Sequence, residues 1–140
     1  MDKIVVSGKR KEAVARALIK EGVGKVTINK KTYLHLELLK KLAIEEPLRI
    51  AEEILGSDEK FDIEVFVSGG GQEGRIEACR LAIARALIAA AKKKDPKKAE
   101  QLRKAYLLYD RNMLIADIRR KEAYKPGDSK ARAKRQKSYR

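Results

Sequence analysis

Residues 69–74 read Gly-Gly-Gly-Gln-Glu-Gly, which satisfies the G-x-G-x-x-G spacing of dinucleotide-binding loops. The chemistry on offer is phosphate binding. Glycine lets backbone N–H groups approach an anion, and a helix opening behind them adds its positive end. The context argues against a dinucleotide. A Rossmann loop sits in the first βα turn of a parallel unit and needs an acid about 20 residues on, after a second strand. Here residues 75–107 read as helical, and Asp95 falls in a break between helices. The Walker pattern fails too, because Gly74 is followed by Arg75-Ile76 and not by Lys with Ser or Thr. Two readings remain: an RNA-phosphate site with Arg75 beside it, or a tight turn of structural purpose. Cys79 and His35 are each single and lie far apart, which leaves no disulfide, metal cluster or nucleophile–base pair. They read as structural residues. No enzymatic activity, cofactor or metal is expected.

The strongest chemical signal is cationic. The chain has 34 Lys and Arg against 20 Asp and Glu, a net charge of +14. Its 140 residues suit one domain with a modest core. So basic a chain calls for a polyanionic partner, with nucleic acid first and an anionic membrane surface second. A membrane partner would need a strongly amphipathic basic helix or a lipidation site, and neither is evident. No apolar run approaches transmembrane length. Residues 1–12 (MDKIVVSGKRKE) lack the apolar stretch of a signal peptide, so a cytoplasmic location is expected.

The charge is uneven. Residues 119–140 hold ten basic and two acidic side chains, a net +8, whereas the first 118 hold 24 and 18, a net +6. From Lys125 onward the apolar side chains are Pro126, Ala131, Ala133 and Tyr139, too few to offset the entropy of ordering the segment alone. The expected division is a globular α/β body over 1–118 and an extended basic tail over 119–140, ordered by a polyanion. A merely solubilising tail is the alternative. Against it stands the near-absence of acids after Asp128, since acids serve solubility better than bases.

The elements that must carry these charges follow from periodicity. Residues 3–7, 25–29 and 61–67 read as strands; in the last, Phe61, Ile63, Val65 and Val67 alternate with Asp62, Glu64 and Phe66. Residues 13–20 (AVARALIK) are ambiguous, helical by propensity and strand-like by alternation. Residues 34–44 and 48–55 read as two helices separated at Pro47 and stopped at Gly56. A long helix over 73–94 carries a buried stripe of Ile76, Cys79, Ile83, Leu87 and Ala90. Asp95-Pro96 breaks it before a helix over 97–107. Arg75, Arg80 and Arg85 stand five apart, form no single stripe, and default to solvent. Lys92, Lys93, Lys94, Lys97 and Lys98 cluster at a helix C-terminus, where cations are favoured anyway.

Several segments, taken in order, resemble one family, the universal ribosomal protein nine of the small subunit in its archaeal and eukaryotic-type branch. They are SGKRKEAVARA at 7–17, VGKVTIN at 23–29, the glycine loop, RLAIARAL at 80–87, Tyr109-Asp110-Arg111, Arg119-Arg120, KARA at 130–133 and the closing QKSYR at 136–140. The chain departs from the family pattern at 74–78 (GRIEA), at Ile118 and at 124–128 (YKPGD).

The resemblance implies an α+β fold, a two-layer α/β sandwich with a β-β-β-α-β-α core and a left-handed crossover, plus the extended basic C-terminal tail. It also implies that residues 13–20 form a strand. It implies residence in the subunit head, bound to small-subunit rRNA and to other ribosomal proteins, with no membrane partner. The rRNA contacts expected in the body fall on Lys9, Arg10, Lys11, Arg16, Gly70, Gly71, Arg75 and Arg111. Those expected in the tail fall on Arg119, Arg120, Lys130, Arg132, Lys134 and Arg135. In the family the tail reaches the peptidyl-site tRNA, a role that falls here on Arg140, with Lys137 and Ser138. Two other classes stay open: a sequence-nonspecific nucleic-acid-binding protein outside the ribosome, and a nucleotide-binding enzyme using the glycine loop.

Overall fold

The computed structural model of the chain describes residues 3–57, 59–126 and 130–132. Its strands are β1 (Ile4–Arg10), β2 (Ala13–Glu21), β3 (Val26–Ile28), β4 (Lys31–Thr32) and β5 (Phe61–Ser68). Its helices are α1 (Leu38–Leu55), α2 (Gln72–Lys94) and α3 (Pro96–Tyr109), with single 3-10 turns at Tyr33–His35 and Arg111–Met113.

The sheet order is β1-β2-β5-β3-β4. Only β3 and β5 run parallel, joined across α1; the other pairs are antiparallel. Alternation decides β2. Ala13, Ala15, Ala17 and Ile19 are at most 1% exposed, while Arg16 points outward. The helix propensity of its alanines loses because β2 lies between two partners and both its ladder edges are satisfied. The inward residues of β2 and β5 meet α2, and α1 and α3 pack on α2 and on each other. This is the expected α+β arrangement in two layers, with β4 and α3 added to the simple core.

The approach of α2 to the sheet is tight because Gly8 has no side chain. A Cβ there would lie 2.4 Å from the carbonyl oxygen of Ala78 and 2.7 Å from the N of Ala82. Ala78 and Ala82 are the matching small residues on the helix, both fully buried. Strand backbone and helix backbone are therefore in direct contact.

One expectation is overturned. The two helices separated at Pro47 are a single helix, and its first turn begins at Leu38, not at residue 34. Pro47 has no N–H to give to the carbonyl four residues back, a substantial local penalty. The penalty is outweighed by packing: Ile44, Pro47, Ala51 and Leu55 are all buried. The buried Tyr106 hydroxyl also donates to the Pro47 carbonyl at 2.7 Å, tying α3 to α1. Burial raises the pKa of that phenol, so it stays a donor.

Gly8→Ala should force α2 off the sheet, because the atoms it meets are backbone and have no rotamer to change. Overpacking of this kind destabilises by about 1–3 kcal/mol, and a thermal melt should show Tm falling by several degrees. An unchanged Tm would mean that the strand and helix are not in contact at this point.

Candidate nucleic-acid interface

The glycine turn is built against the protein's own backbone. Gly69 and Gly70 have φ of 74° and 62°, the left-handed region that favours glycine. A Cβ on Gly70 would lie 2.9 Å from the N of Ala13, and one on Gly69 would lie 2.6 Å from the carbonyl oxygen of Glu12. The close approach that the glycines permit is thus to the β1–β2 turn. Gly71 precedes α2 without a side-chain cap. The element after α2 is α3 and, among the described residues, no second parallel strand follows, so the dinucleotide reading has no structural counterpart there.

The expected RNA-contacting residues fall into several neighbourhoods, two of which share Arg10 and Glu77. Lys11, Gly70, Gly71 and Arg120 line one depression, together with Lys121 and several acids. Arg75 faces a different one with Lys31, His35 and Lys40, and its Nε donates to the Gly69 carbonyl at 2.9 Å. Lys9, Arg10 and Arg119 border a third. Arg16 stands apart on the outer face of the sheet, and Arg111 is exposed on its turn. Lys130 is exposed, and Arg132 reaches Glu122 at 3.1 Å. Lys134, Arg135, Lys137, Ser138 and Arg140 lie outside the described residues.

Arg10 is not free. It is paired with Glu77 of α2, and with Asp117 at 2.8 Å. Arg119 also grips Asp117, through its backbone N–H at 2.9 Å and its guanidinium at 2.6–3.1 Å. The Arg119 contacts foremost, and then the charge of Arg10, hold the Asp117 carboxyl well below the usual range.

Arg80 and Arg85 correct the expectation of solvated positions. Arg80 joins three elements, reaching Glu46 of α1 at 2.5 Å and Asp110 at 2.7 Å. Arg85 donates twice to the Leu114 carbonyl, at 3.0 and 2.8 Å, and once to the Ser7 carbonyl, at 2.9 Å. A signal was present: from Leu81 to Ala91 every other residue is apolar, and a charge inside a buried stretch must be paired. Together Arg10, Arg80 and Arg85 clamp residues 110–117 to α2 and β1, directly before the basic residues 119–140.

Asp62, read only as sharing one strand face with Glu64 and Phe66, accepts from the N–H of Val23, Gly24 and Lys25 at 2.8–3.0 Å. The Lys25 N–H foremost lowers its pKa, and the three bonds fix the β2–β3 loop. Cys79 is buried and its thiol is pushed up to about 12 by desolvation, which removes it as a nucleophile at neutral pH. Among the described residues no group of His, Cys, Asp and Glu could hold a metal ion, and no helix is long and apolar enough to cross a membrane.

The clamp predicts acid sensitivity. Burial opposes the charge of Asp110, but its bonds to Arg80 and to the Asn112 N–H outweigh burial and lower its pKa. Both Asp110 and Asp117 therefore contribute stability that is complete above the unfolded value of about 3.9 and is lost as pH falls through the lower folded values. Thermal melts run from neutral to acid pH should show Tm falling below about pH 4. In Asp110→Asn and Asp117→Asn the neutral-pH Tm should start lower and the acid decline should be shallower. Curves parallel to the wild type would show that these carboxylates are not coupled to folding.

The matching family model is described as Ribosomal protein S9/S16 and covers residues 8–140. The chain is 43% identical over 139 residues to the small ribosomal subunit protein uS9 of Methanococcus vannielii, covering 95% of each chain. It is 44% identical over 143 residues to the small ribosomal subunit protein uS9 of Pyrobaculum aerophilum, covering 99% of this chain and 92% of that one. The chain belongs to the ribosomal protein S9/S16 family, whose members are structural components of the ribosome and not enzymes.

Proposed function

We propose that this structural protein of the small ribosomal subunit sits in the subunit head, binds rRNA through its basic surface, and reaches the peptidyl-site tRNA with its C-terminal tail. Its place is then the cytoplasmic ribosome, beside rRNA and other ribosomal proteins. The observation that carries this reading is the charge of residues 119–140, ten basic against two acidic, following directly on a segment clamped to the body. A long basic segment needs a fixed root if it is to be delivered in one direction. Arg85 on Leu114 and Arg10 on Asp117 supply that root.

The division into a body over 1–118 and a tail over 119–140 belongs to the same proposal. Residues 126–140 could span roughly 50 Å if extended, at about 3.3–3.6 Å each. Arg and Lys along such a segment meet phosphates, Arg in bidentate fashion. Phosphate contacts hold position without reading sequence, which suits a site that must accept every tRNA. Lys137, Ser138 and Arg140 are assigned to the tRNA, and Lys130, Arg132, Lys134 and Arg135 to rRNA.

Deleting residues 130–140 removes six cations. The body should remain folded by thermal melt, and rRNA affinity should fall. The slope of log affinity against log salt should decrease by up to about 4–5 if every cation meets a phosphate. Loss of folding would sink the separable tail. Affinity for small-subunit rRNA no better than for duplex DNA at matched salt would favour a nonspecific binder. A photocrosslinker at position 140 in assembled small subunits should label peptidyl-site tRNA; its failure would remove the tRNA contact and leave the rRNA reading standing.

A further inference from the structure

A two-layer fold covers one face of its sheet and leaves the other open. On the open face Ser7, Arg16 and Phe66 form one cross-strand row. The next row toward the turn is Lys9, Val14 and Ser68, and the row on the other side contains Val5, Leu18 and Glu64. Phe66 is 47% exposed. Its fellow strand aromatic, Phe61, is buried and has Lys94 over its ring. Lys121 stands over Tyr124. Among the described residues no cation covers Phe66.

The acids of this face are already engaged. Asp62 is held by three backbone N–H groups, and Glu64 accepts from Lys20 at 3.2 Å. Arg16 is exposed and has no acidic partner among the described residues. Directly opposed side chains on neighbouring strands have Cβ atoms roughly 4.5–5.5 Å apart. Among the described residues an uncovered aromatic ring therefore lies beside an uncompensated guanidinium, on two strands that are each paired on both edges.

We propose that this face binds an unpaired RNA nucleotide, its base stacked on Phe66 and its phosphate held by Arg16. The inference rests on the rRNA-binding reading above and names a contact within it. A nucleotide joins a flat apolar surface to an anion, the pair of chemistries the row presents. Unpaired bases are what protein aromatics can stack on, because bases within a duplex are already stacked. An apolar protein partner is the poorer fit, since Arg16, Lys20 and Glu64 interrupt the apolar surface of Val5, Leu18 and Phe66.

The test uses the full-length chain, a short single-stranded oligouridylate, the same strand in a duplex, and small-subunit rRNA. Phe66→Ala and Phe66→Leu should each weaken oligouridylate binding about 5- to 150-fold, the equivalent of about 1–3 kcal/mol for one stacked base. Phe66→Tyr should bind like the wild type. The salt slope should be unchanged in all three, whereas Arg16→Gln should lower it by about 0.7, the value for one phosphate of a single strand. Binding to the duplex should not respond to Phe66. Ultraviolet irradiation should attach uracil to the tryptic peptide spanning residues 61–75.

Thermal melts separate these effects from unfolding, and the Tyr variant guards against loss of structure in the Ala variant. If Phe66→Leu binds as tightly as the wild type, the contact is apolar and a protein partner is favoured, which overturns the proposal. If all Phe66 variants bind equally and no crosslink maps to residues 61–75, while the wild type still binds small-subunit rRNA, the sheet-face contact alone falls. If the wild type does not bind small-subunit rRNA, the underlying reading falls as well.

Discussion

The contact of β1 backbone with α2 backbone at Gly8 is the constraint on which the rest of this structure depends. It sets how close α2 lies to the sheet. That distance decides whether Arg85, three residues beyond Ala82, can reach the Ser7 carbonyl on β1 and the Leu114 carbonyl after α3 with one planar head. It also decides whether Arg10 and Glu77 meet across the same gap. A helix one methyl group further out would shift every donor in the clamp. Rigid, multiply bonded guanidinium groups tolerate such shifts poorly, because their forks are planar and fixed. The alanines of β2 and the glycine turn at 69–70 belong to the same requirement. Both let helix and loop backbone approach strand backbone, and the turn is then closed by Arg75.

The net charge of the body conceals a separation of roles. Acids of the body hold arginines in place: Glu77 and Asp117 on Arg10, Glu46 and Asp110 on Arg80. These pairs draw together parts of the chain distant in sequence and leave little of either charge for a partner. Among the described residues, cations without an acidic partner lie elsewhere, on the open sheet face at Arg16 and on the turns at Lys11 and Arg111, while Arg132 is paired with Glu122. Count alone treats all of them as equivalent. Geometry shows that several arginines in family-like motifs hold distant parts of the chain together.

Much of this was legible in the amino-acid order. Period-two alternation located β5 and β3, the three-and-four spacing located α2 and its buried stripe, and Asp95-Pro96 marked the junction of α2 and α3. In the structure Asp95 caps α3 through the Lys97 N–H. Residues 13–20 were undecidable locally, because the strand state depends on β1 and β5 supplying both ladder edges. Pro47 misled for the same reason: the penalty of a helical proline is local, but the packing and the Tyr106 bond that offset it come from α2 and α3. The roles of Arg80 and Arg85 depend on partners 29 to 78 residues away, which spacing along one helix cannot reveal.

The open face of the sheet follows from the size of the chain. In a chain of 140 residues, three helices cover one side of the five strands, and among the described residues no helix packs on the other. A bare sheet face and the free edge of β1 invite association with other chains. Charged side chains placed among the apolar ones counter this: Arg16 between Ser7 and Phe66, Lys20 and Glu64 beside Leu18, Lys9 on the edge strand. Solubility explains why charges are present there, but acids would serve it better than bases. It does not explain why both acids of the face are engaged internally while Arg16, beside the exposed Phe66, has no acidic partner among the described residues. On the proposal above, this face and residues 119–140 would share one chemical class of partner, a polyanion with flat bases, held by two forces, charge and stacking. One force is screened by salt and the other is not.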